Sequence, residues 1–364
     1  MLDIFGMEES KKIKSIDEVV QATMKWHFSE ETGSEFWLNK KKKLSFDPIK
    51  DIKKFEQLNL FDDYTEEMKN IDVTKFIPRG LKNFYGDVNV FESGGTTGSP
   101  QRIIDTYSRR KALDWVDKHF IDFGVSKELE GNWIHVGPTG PHIVGTSIGR
   151  LAKSRQKVCY YIDFDPRWVK KISKLGQKDI VVQYVNHILD QVEDILRTQN
   201  ISVMFITPAV LEALSKRQEL CEIINKKIST IIWAGTSMSE ENLYAFENYI
   251  FENINFIGLY GNTLMGIAPQ RKRNKDDKFL CVYQSFYPFS VVEVVDKTKH
   301  NQLVEYSATG QICVTLMTPD IFIPKHLERD QAVRIKPVDG YLQDGVADLK
   351  PLDSIKGKIF EGVY

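Results

Sequence analysis

Val203-Met204-Phe205-Ile206-Thr207-Pro208-Ala209-Val210-Leu211-Glu212-Ala213-Leu214-Ser215-Lys216 joins a short apolar run directly to a helix-length segment. The run 203–206 predicts a buried strand. Pro208 then opens a helix over 208–216 at its first turn, where the missing N–H forfeits no bond. The same unit recurs on both sides. Apolar runs at 133–136, 158–162, 230–233 and 255–259 predict four further strands, and 181–197 and 239–251 predict two further helices. Strands alternating with helices imply βαβ units and a mainly parallel, covered sheet.

Outside that stretch the pattern changes. Residues 1–87 read as a helical segment packing on the core. Within it Ser15 and Glu18 have the spacing of a capping box, and Ile16, Val19, Val20 and Met24 share a helix face. The run Lys40-Lys41-Lys42-Lys43 reads as a solvated face. Residues 88–275 form the α/β core. Beyond Lys278 helices disappear, and 280–283, 290–296, 303–307, 311–316 and 332–336 predict antiparallel strands. A small β-rich subdomain over 276–364 therefore closes the chain.

Composition narrows the class. The chain has 364 residues, 42% apolar and 27% charged, which excludes disorder, collagen-like repeats and a disulfide scaffold. Lys+Arg is 49 against Asp+Glu 50, so the basic excess of a nucleic-acid-binding protein is missing. No run nears the roughly 18 apolar residues of a membrane-spanning helix, and the N-terminus lacks a secretory pattern. The expectation is a soluble, cytoplasmic protein. Cys159, Cys221, Cys281 and Cys313 lie about 30–60 residues apart without C-x-x-C spacing and read as core thiols. The histidines show no metal-ligand spacing, and no G-x-S-x-G elbow supports a hydrolase triad.

The chemistry-bearing stretch is Val90-Phe91-Glu92-Ser93-Gly94-Gly95-Thr96-Thr97-Gly98-Ser99-Pro100-Gln101-Arg102. Glycines let a backbone close on an anion, and hydroxyls add donors to the main-chain N–H groups. The composition suits a triphosphate; a hairpin tip without a ligand is the alternative. Neither a Walker loop nor a G-x-G-x-x-G fingerprint is present. Gly95-Thr96-Thr97-Gly98-Ser99-Pro100 resembles the phosphate loop of the adenylate-forming superfamily, which includes acyl-CoA synthetases and adenylation domains. Further matches follow in the family's order. Trp233-Ala234-Gly235-Thr236 resembles the segment bordering the adenine and acyl pocket. Tyr260-Gly261-Asn262-Thr263 resembles the Y-G-x-T motif, Gly310-Gln311-Ile312 the G-E-[IL] turn, and Glu328-Arg329-Asp330 the ribose-binding stretch.

The resemblance implies the superfamily's large N-terminal α/β domain and β-rich subdomain, without its C-terminal lid. It implies ATP as substrate, AMP in the product and Mg²⁺ beside the phosphates. Ser93, Gly94, Gly95, Thr96, Thr97 and Gly98 would hold phosphates. Thr263 would contact the α-phosphate, acting with Thr96 and Thr97 in catalysis. Ala234, Gly235, Tyr260 and Gly261 would border the nucleotide, and Asp330 would bind ribose. Tyr260 could instead be a capping aromatic, Asp330 a surface partner of Arg329, and Trp233 plain core. His142, after a predicted strand end, joins Trp233 and Gly235 as a candidate substrate residue, or is a satisfied turn histidine.

Departures from the pattern are Gln101 for the loop's lysine, Leu264 for the glutamate after Y-G-x-T, and Val346 for an arginine in Gly345-Val346-Ala347-Asp348. The stretch Met24-Lys25-Trp26-His27-Phe28-Ser29-Glu30-Glu31-Thr32-Gly33-Ser34-Glu35-Phe36-Trp37-Leu38 resembles truncated adenylating proteins of phenazine antibiotic clusters. The expected reaction is adenylation of an aromatic, phenazine-type carboxylate, handed to a reductase or acyl-acceptor partner. The alternatives are a presenting module without catalysis and a subunit completed by a separate C-terminal domain. A homodimer is left open.

Overall fold

The computed structural model describes residues 13–81, 88–93, 100–105 and 107–353. The N-terminal segment is helical: α1 (Ile16–Phe28), α2 (Glu35–Lys41), α3 (Pro48–Asp51) and α4 (Thr65–Met68). The Ser15 hydroxyl accepts from the Asp17 N–H at 3.1 Å, so Ser15 caps α1, through the second helical residue rather than Glu18. Val19, Val20, Met24 and Phe28 are buried along one face. The lysine run is only half solvated. Lys40 pairs with Glu67, and Lys41 donates to the Phe28 carbonyl at 3.0 Å, whereas Lys42 and Lys43 are exposed.

An antiparallel hairpin follows, β1 (Asn89–Glu92) with β2 (Arg102–Asp105), and leads into α5 (Tyr107–Asp122). The core alternates β3 (Asn132–Gly137), α6 (Ile143–Ser154), β4 (Cys159–Asp163), α7 (Pro166–Lys174), α8 (Lys178–Thr198), β5 (Ile201–Ile206), α9 (Pro208–Leu214), α10 (Gln218–Lys227), β6 (Thr230–Trp233), α11 (Glu240–Ala245), β7 (Asn255–Asn262) and β8 (Gly266–Pro269). All five strands expected here are present, and the helix expected over 239–251 is α11 extended by a π-helical turn. Strand order is β4-β3-β5-β6-β7-β8, parallel except for β8, which folds back antiparallel on β7.

Alternate strand residues serve opposite faces. Trp133, Val203, Phe205, Ile232 and Leu259 pack with α5 and α6. Ile134, Met204, Ile206, Ile231 and Trp233 pack with α8, α9 and α10. Both faces are covered, as a parallel sheet requires.

The chain closes with a second sheet, order β10-β11-β12-β13-β9, formed by β9 (Val282–Tyr283), β10 (Ser290–Val295), β11 (Thr309–Met317), β12 (Phe322–Ile335) and β13 (Gly345–Pro351). Residues 303–307 are not the strand expected. Leu303 makes one isolated bridge to Val295, and Ser307 turns at φ +67. The strand expected at 332–336 is the end of the 14-residue β12. Gly310-Gln311-Ile312 lies inside β11 rather than in a turn. The N-terminal helices dock here: Phe322 of β12 sits 4.9 Å from the Trp37 ring, 5.5 Å from Phe61 and 6.0 Å from Phe28.

Candidate active site

A cavity of about 120 Å³ opens at the C-terminal ends of the parallel strands, between the sheet, α5 and the start of α6. Open α/β sheets bind ligands at this edge. Its depth is apolar: Leu113 and Val116 of α5, Phe205 of β5 and Leu259 of β7 are all buried. Its mouth is polar, with Tyr260, Gly261, Asn262 and Thr263 at the end of β7. Each parallel strand delivers its last residues to one rim, so positions far apart in sequence converge.

The mouth meets the second sheet. The Tyr260 hydroxyl donates to Asp330 Oδ2 at 3.3 Å, and the Asn262 amide donates to Glu328 Oε1 at 2.6 Å. Glu328 and Asp330 lie two residues apart on β12, where a register shift interrupts its pairing with β11, and their contacts with Asn262 and Tyr260 bring both to this rim. Asp330 thus lies within a strand, not ahead of one as its spacing suggested. Burial, then the Glu328 charge, pushes the Asp330 carboxyl up to about 6. The Tyr260 phenol is raised by burial first and by the same carboxylates second. Thr263 donates from its hydroxyl to the Glu92 carbonyl at 3.3 Å. Its own carbonyl accepts from Arg109 at 2.6 Å.

Of the loop residues, Gly94, Gly95, Thr96, Thr97 and Gly98 lie outside the described residues. The frame that carries them is defined. Ser93 and Gln101 close the hairpin: the Ser93 N–H donates to the Gln101 carbonyl at 2.9 Å, and the Gln101 N–H donates to the Ser93 hydroxyl at 2.8 Å. The Gln101 side chain is buried, while Arg102 is exposed and donates to Glu92 Oε1 at 2.9 Å. Arg167 at the start of α7 donates to Glu92 Oε2 at 3.0 Å and to the Ser93 carbonyl at 2.9 Å. The hairpin base is therefore pinned to the parallel-sheet core.

Ala234, Gly235 and His142 also line the cavity. Gly235 has φ +101, a conformation that side chains with a Cβ resist. His142 is the N-cap residue of α6, and burial followed by the Arg167 charge lowers its imidazole. Trp233 is absent from the lining. It projects to the opposite face of the sheet from Phe205 and Leu259, where Gly258 leaves room for its indole and for the Tyr283 hydroxyl. Leu264, standing where the resemblance calls for a glutamate, is a buried core residue. Among the described residues no group of three or more His, Cys, Asp or Glu could hold a metal ion. Burial pushes the Cys281 and Cys313 thiols up to about 12 and Cys159 to about 11, as fits core thiols rather than nucleophiles.

Sequence reasoning missed Arg109 and Glu328. Arg109 is half-buried and donates to the carbonyls of Thr263 and Leu264, fixing the turn between β7 and β8. Its signal was an arginine on the face of α5 that also carries Ala112, Leu113 and Val116. Glu328 was legible only as the alternate neighbour of Asp330.

No family profile matches the chain, and no curated protein matches it. Solved structures do. A 2-hydroxyisobutyryl-CoA ligase, in complex with 2-HIB-AMP and CoA, superposes with TM-score 0.61 at 11% identity over 90% of this chain and 64% of that one. The same ligase in its postadenylation state with 2-HIB-AMP gives 0.59 at 11% identity, again over 90% and 64%. This chain therefore spans under two thirds of that ligase's length. The fold is that of the N-terminal domain of an adenylate-forming enzyme, as the motif order implied. Among the described residues no helix is long and apolar enough to cross a membrane.

Proposed function

We propose that this protein adenylates a carboxylic acid with ATP. The acid's carboxylate oxygen attacks the α-phosphorus, the bond to the β-phosphate oxygen breaks, and acyl-AMP and pyrophosphate result. The observation that carries this reading is the meeting of Tyr260 with Asp330 at the mouth of an apolar cavity. Asp330, once ionised, would accept from the ribose hydroxyls. Tyr260 would flank the base, alongside Ala234, Gly235 and Gly261. Thr263, fixed through its own carbonyl by Arg109, would meet the α-phosphate, and Ser93 and the loop beyond it would hold the outer phosphates. The work of these residues is positioning and charge neutralisation.

The described carboxylates offer no cage for Mg²⁺. Glu92 is held by Arg102 and Arg167, and the Leu264 side chain brings no oxygen. The ion would arrive on the triphosphate and keep its waters. The acid is small on this reading, a single-ring aromatic acid being one candidate, while the phenazine carboxylate expected from the sequence exceeds a cavity of about 120 Å³. A reductase or acyl-acceptor enzyme would consume the adenylate. A presenting module that binds without turnover is favoured by one observation: Gln101, in the place of the family's lysine, is uncharged and buried.

ATP–pyrophosphate exchange decides between the two. Exchange that depends on an added acid and is lost in Asp330→Ala supports adenylation. AMP binding without exchange under any acid supports the presenting module.

A further inference from the structure

We propose that the acid taken by this cavity is compact and carries a single charge, with an acyl part of one ring or a short branched chain. The proposal rests on the adenylation reading and narrows it. A cavity of roughly 150 Å³ lined by aliphatic and aromatic side chains accommodates benzene. The space here is about 120 Å³, and its deep wall is made of Val116, Phe205 and Leu259, which are at most 5% exposed. Three fused rings need more than twice the volume of one, and these close-packed walls cannot recede that far without repacking the core. Phe205 is held further by stacking on His135, with ring centroids 4.7 Å apart.

The same lining selects against a second acidic group. Among the described lining residues Arg109 is the one lysine or arginine, and its Nη2 donates to two backbone carbonyls, those of Thr263 and Leu264, at 2.6 and 2.8 Å. Asp105 and Asp320 lie close enough to act on its charge. His142, lowered by burial, is neutral near pH 7. The depth itself is lined by Leu113, Val116, Phe205 and Leu259, whose side chains bring no donor, so a second carboxylate held there, away from Arg109, would be desolvated without a partner, a placement proteins avoid.

Calorimetry on the full chain with benzoate, phthalate, phenazine-1-carboxylate and AMP tests this. We expect benzoate to bind at least tenfold more tightly than phthalate or phenazine-1-carboxylate. Ala112→Leu, which fills the cavity from α5, should weaken benzoate at least tenfold more than AMP. Phenazine-1-carboxylate binding as tightly as benzoate overturns the size limit, and phthalate doing so overturns the charge limit. AMP binding without any benzoate binding overturns the inference yet leaves the nucleotide site standing. Failure of AMP to bind overturns the adenylation reading beneath it. The wild-type comparison requires no variant to fold.

Discussion

At the scale of single residues, the ribose contact proposed for Asp330 would couple nucleotide binding to pH. Its carboxyl titrates at about 6 in the fold against an ordinary value of 3.8, with burial the leading cause and the Glu328 charge the second. Ribose hydroxyls need the ionised form as acceptor, so AMP affinity should rise between pH 5 and pH 7. Asp330→Asn should lower affinity at pH 7 and flatten that rise; calorimetry at both values reads it, and an undiminished rise would remove Asp330 from the site. The same raised acid makes the folded state bind more protons between pH 3.8 and about 6, so its ionisation weakens stability as pH climbs through that window. Gly261 makes a second residue-level claim. A Cβ there would lie 1.9 Å from the Gly266 carbonyl oxygen, a backbone atom of the paired strand. Gly261→Ala should cost roughly 3 kcal/mol or more in a denaturant titration, because the β7–β8 turn must open to admit it. The Y-G-x-T spacing singled out Tyr260, Gly261 and Thr263 in the sequence. What it could not show is that the glycine is required by its own hairpin, through the Gly266 carbonyl.

Elements explain which parts of the molecule were legible. Strands β3, β5, β6 and β7 read clearly because their central residues are buried on both faces and form apolar runs, while the edge strand β4, half exposed, was legible from its β-branched and aromatic run alone. Strand β12 did not, since Lys325-His326-Leu327-Glu328-Arg329-Asp330-Gln331 looks like a polar loop. Its polar residues are accommodated by partners distant in sequence. Lys325 reaches Glu293 at 2.6 Å, and His326 Nδ1 reaches Asp63 Oδ2 at 2.8 Å. No local pattern encodes a contact across 263 positions. That His326–Asp63 pair ties the N-terminal helices to the site-bearing strand. Burial opposes the imidazolium, but the Asp63 hydrogen bond and the Glu328 and Asp63 charges outweigh it, raising His326 above 6.5. Its stabilisation is complete below pH 6.5 and is lost as pH rises through the raised value. Asp63 is lowered despite burial, chiefly by His326, so its share persists above pH 3.8 and is lost in stronger acid. His326→Gln should then cost about 1–2 kcal/mol at pH 5.5 and markedly less at pH 9. Melting temperatures of both proteins at the two pH values measure the difference, and an equal loss at both would mean the pair is not charged in the fold.

Over the whole molecule, one apolar cluster runs from α1 through the parallel sheet to the second sheet, including Val20, Phe28, Ile134, Met204, Ile312 and Phe322. The composition changes near residues 87 and 276 suggested three segments, yet these buried side chains share contacts across both boundaries. Phe322 is the clearest junction. It belongs to the strand that carries Asp330, is 1% exposed, and its ring is surrounded by those of Phe28, Trp37 and Phe61 from the helical segment. Trp26 adds a polar tie on the same side, donating from its indole to the Pro319 carbonyl at 2.8 Å. If the core is continuous, a cavity at Phe322 should weaken the molecule as one body rather than release the N-terminal helices alone. Phe322→Ala is expected to cost about 3–5 kcal/mol, the usual range for removing a buried phenylalanine. Fluorine NMR of 5-fluorotryptophan-labelled protein reports the helical segment through the Trp26 and Trp37 resonances, separate from those of Trp115, Trp133, Trp168 and Trp233 in the core, and backbone circular dichroism reports the whole fold. In the variant the two should still give one coincident transition in urea, moved to lower denaturant with an unchanged slope. A transition at Trp26 and Trp37 that precedes the loss of backbone signal would show instead that the helices form a separable unit. The Asp63–His326 pair and the aromatic cluster would then be a docking joint between two folding units.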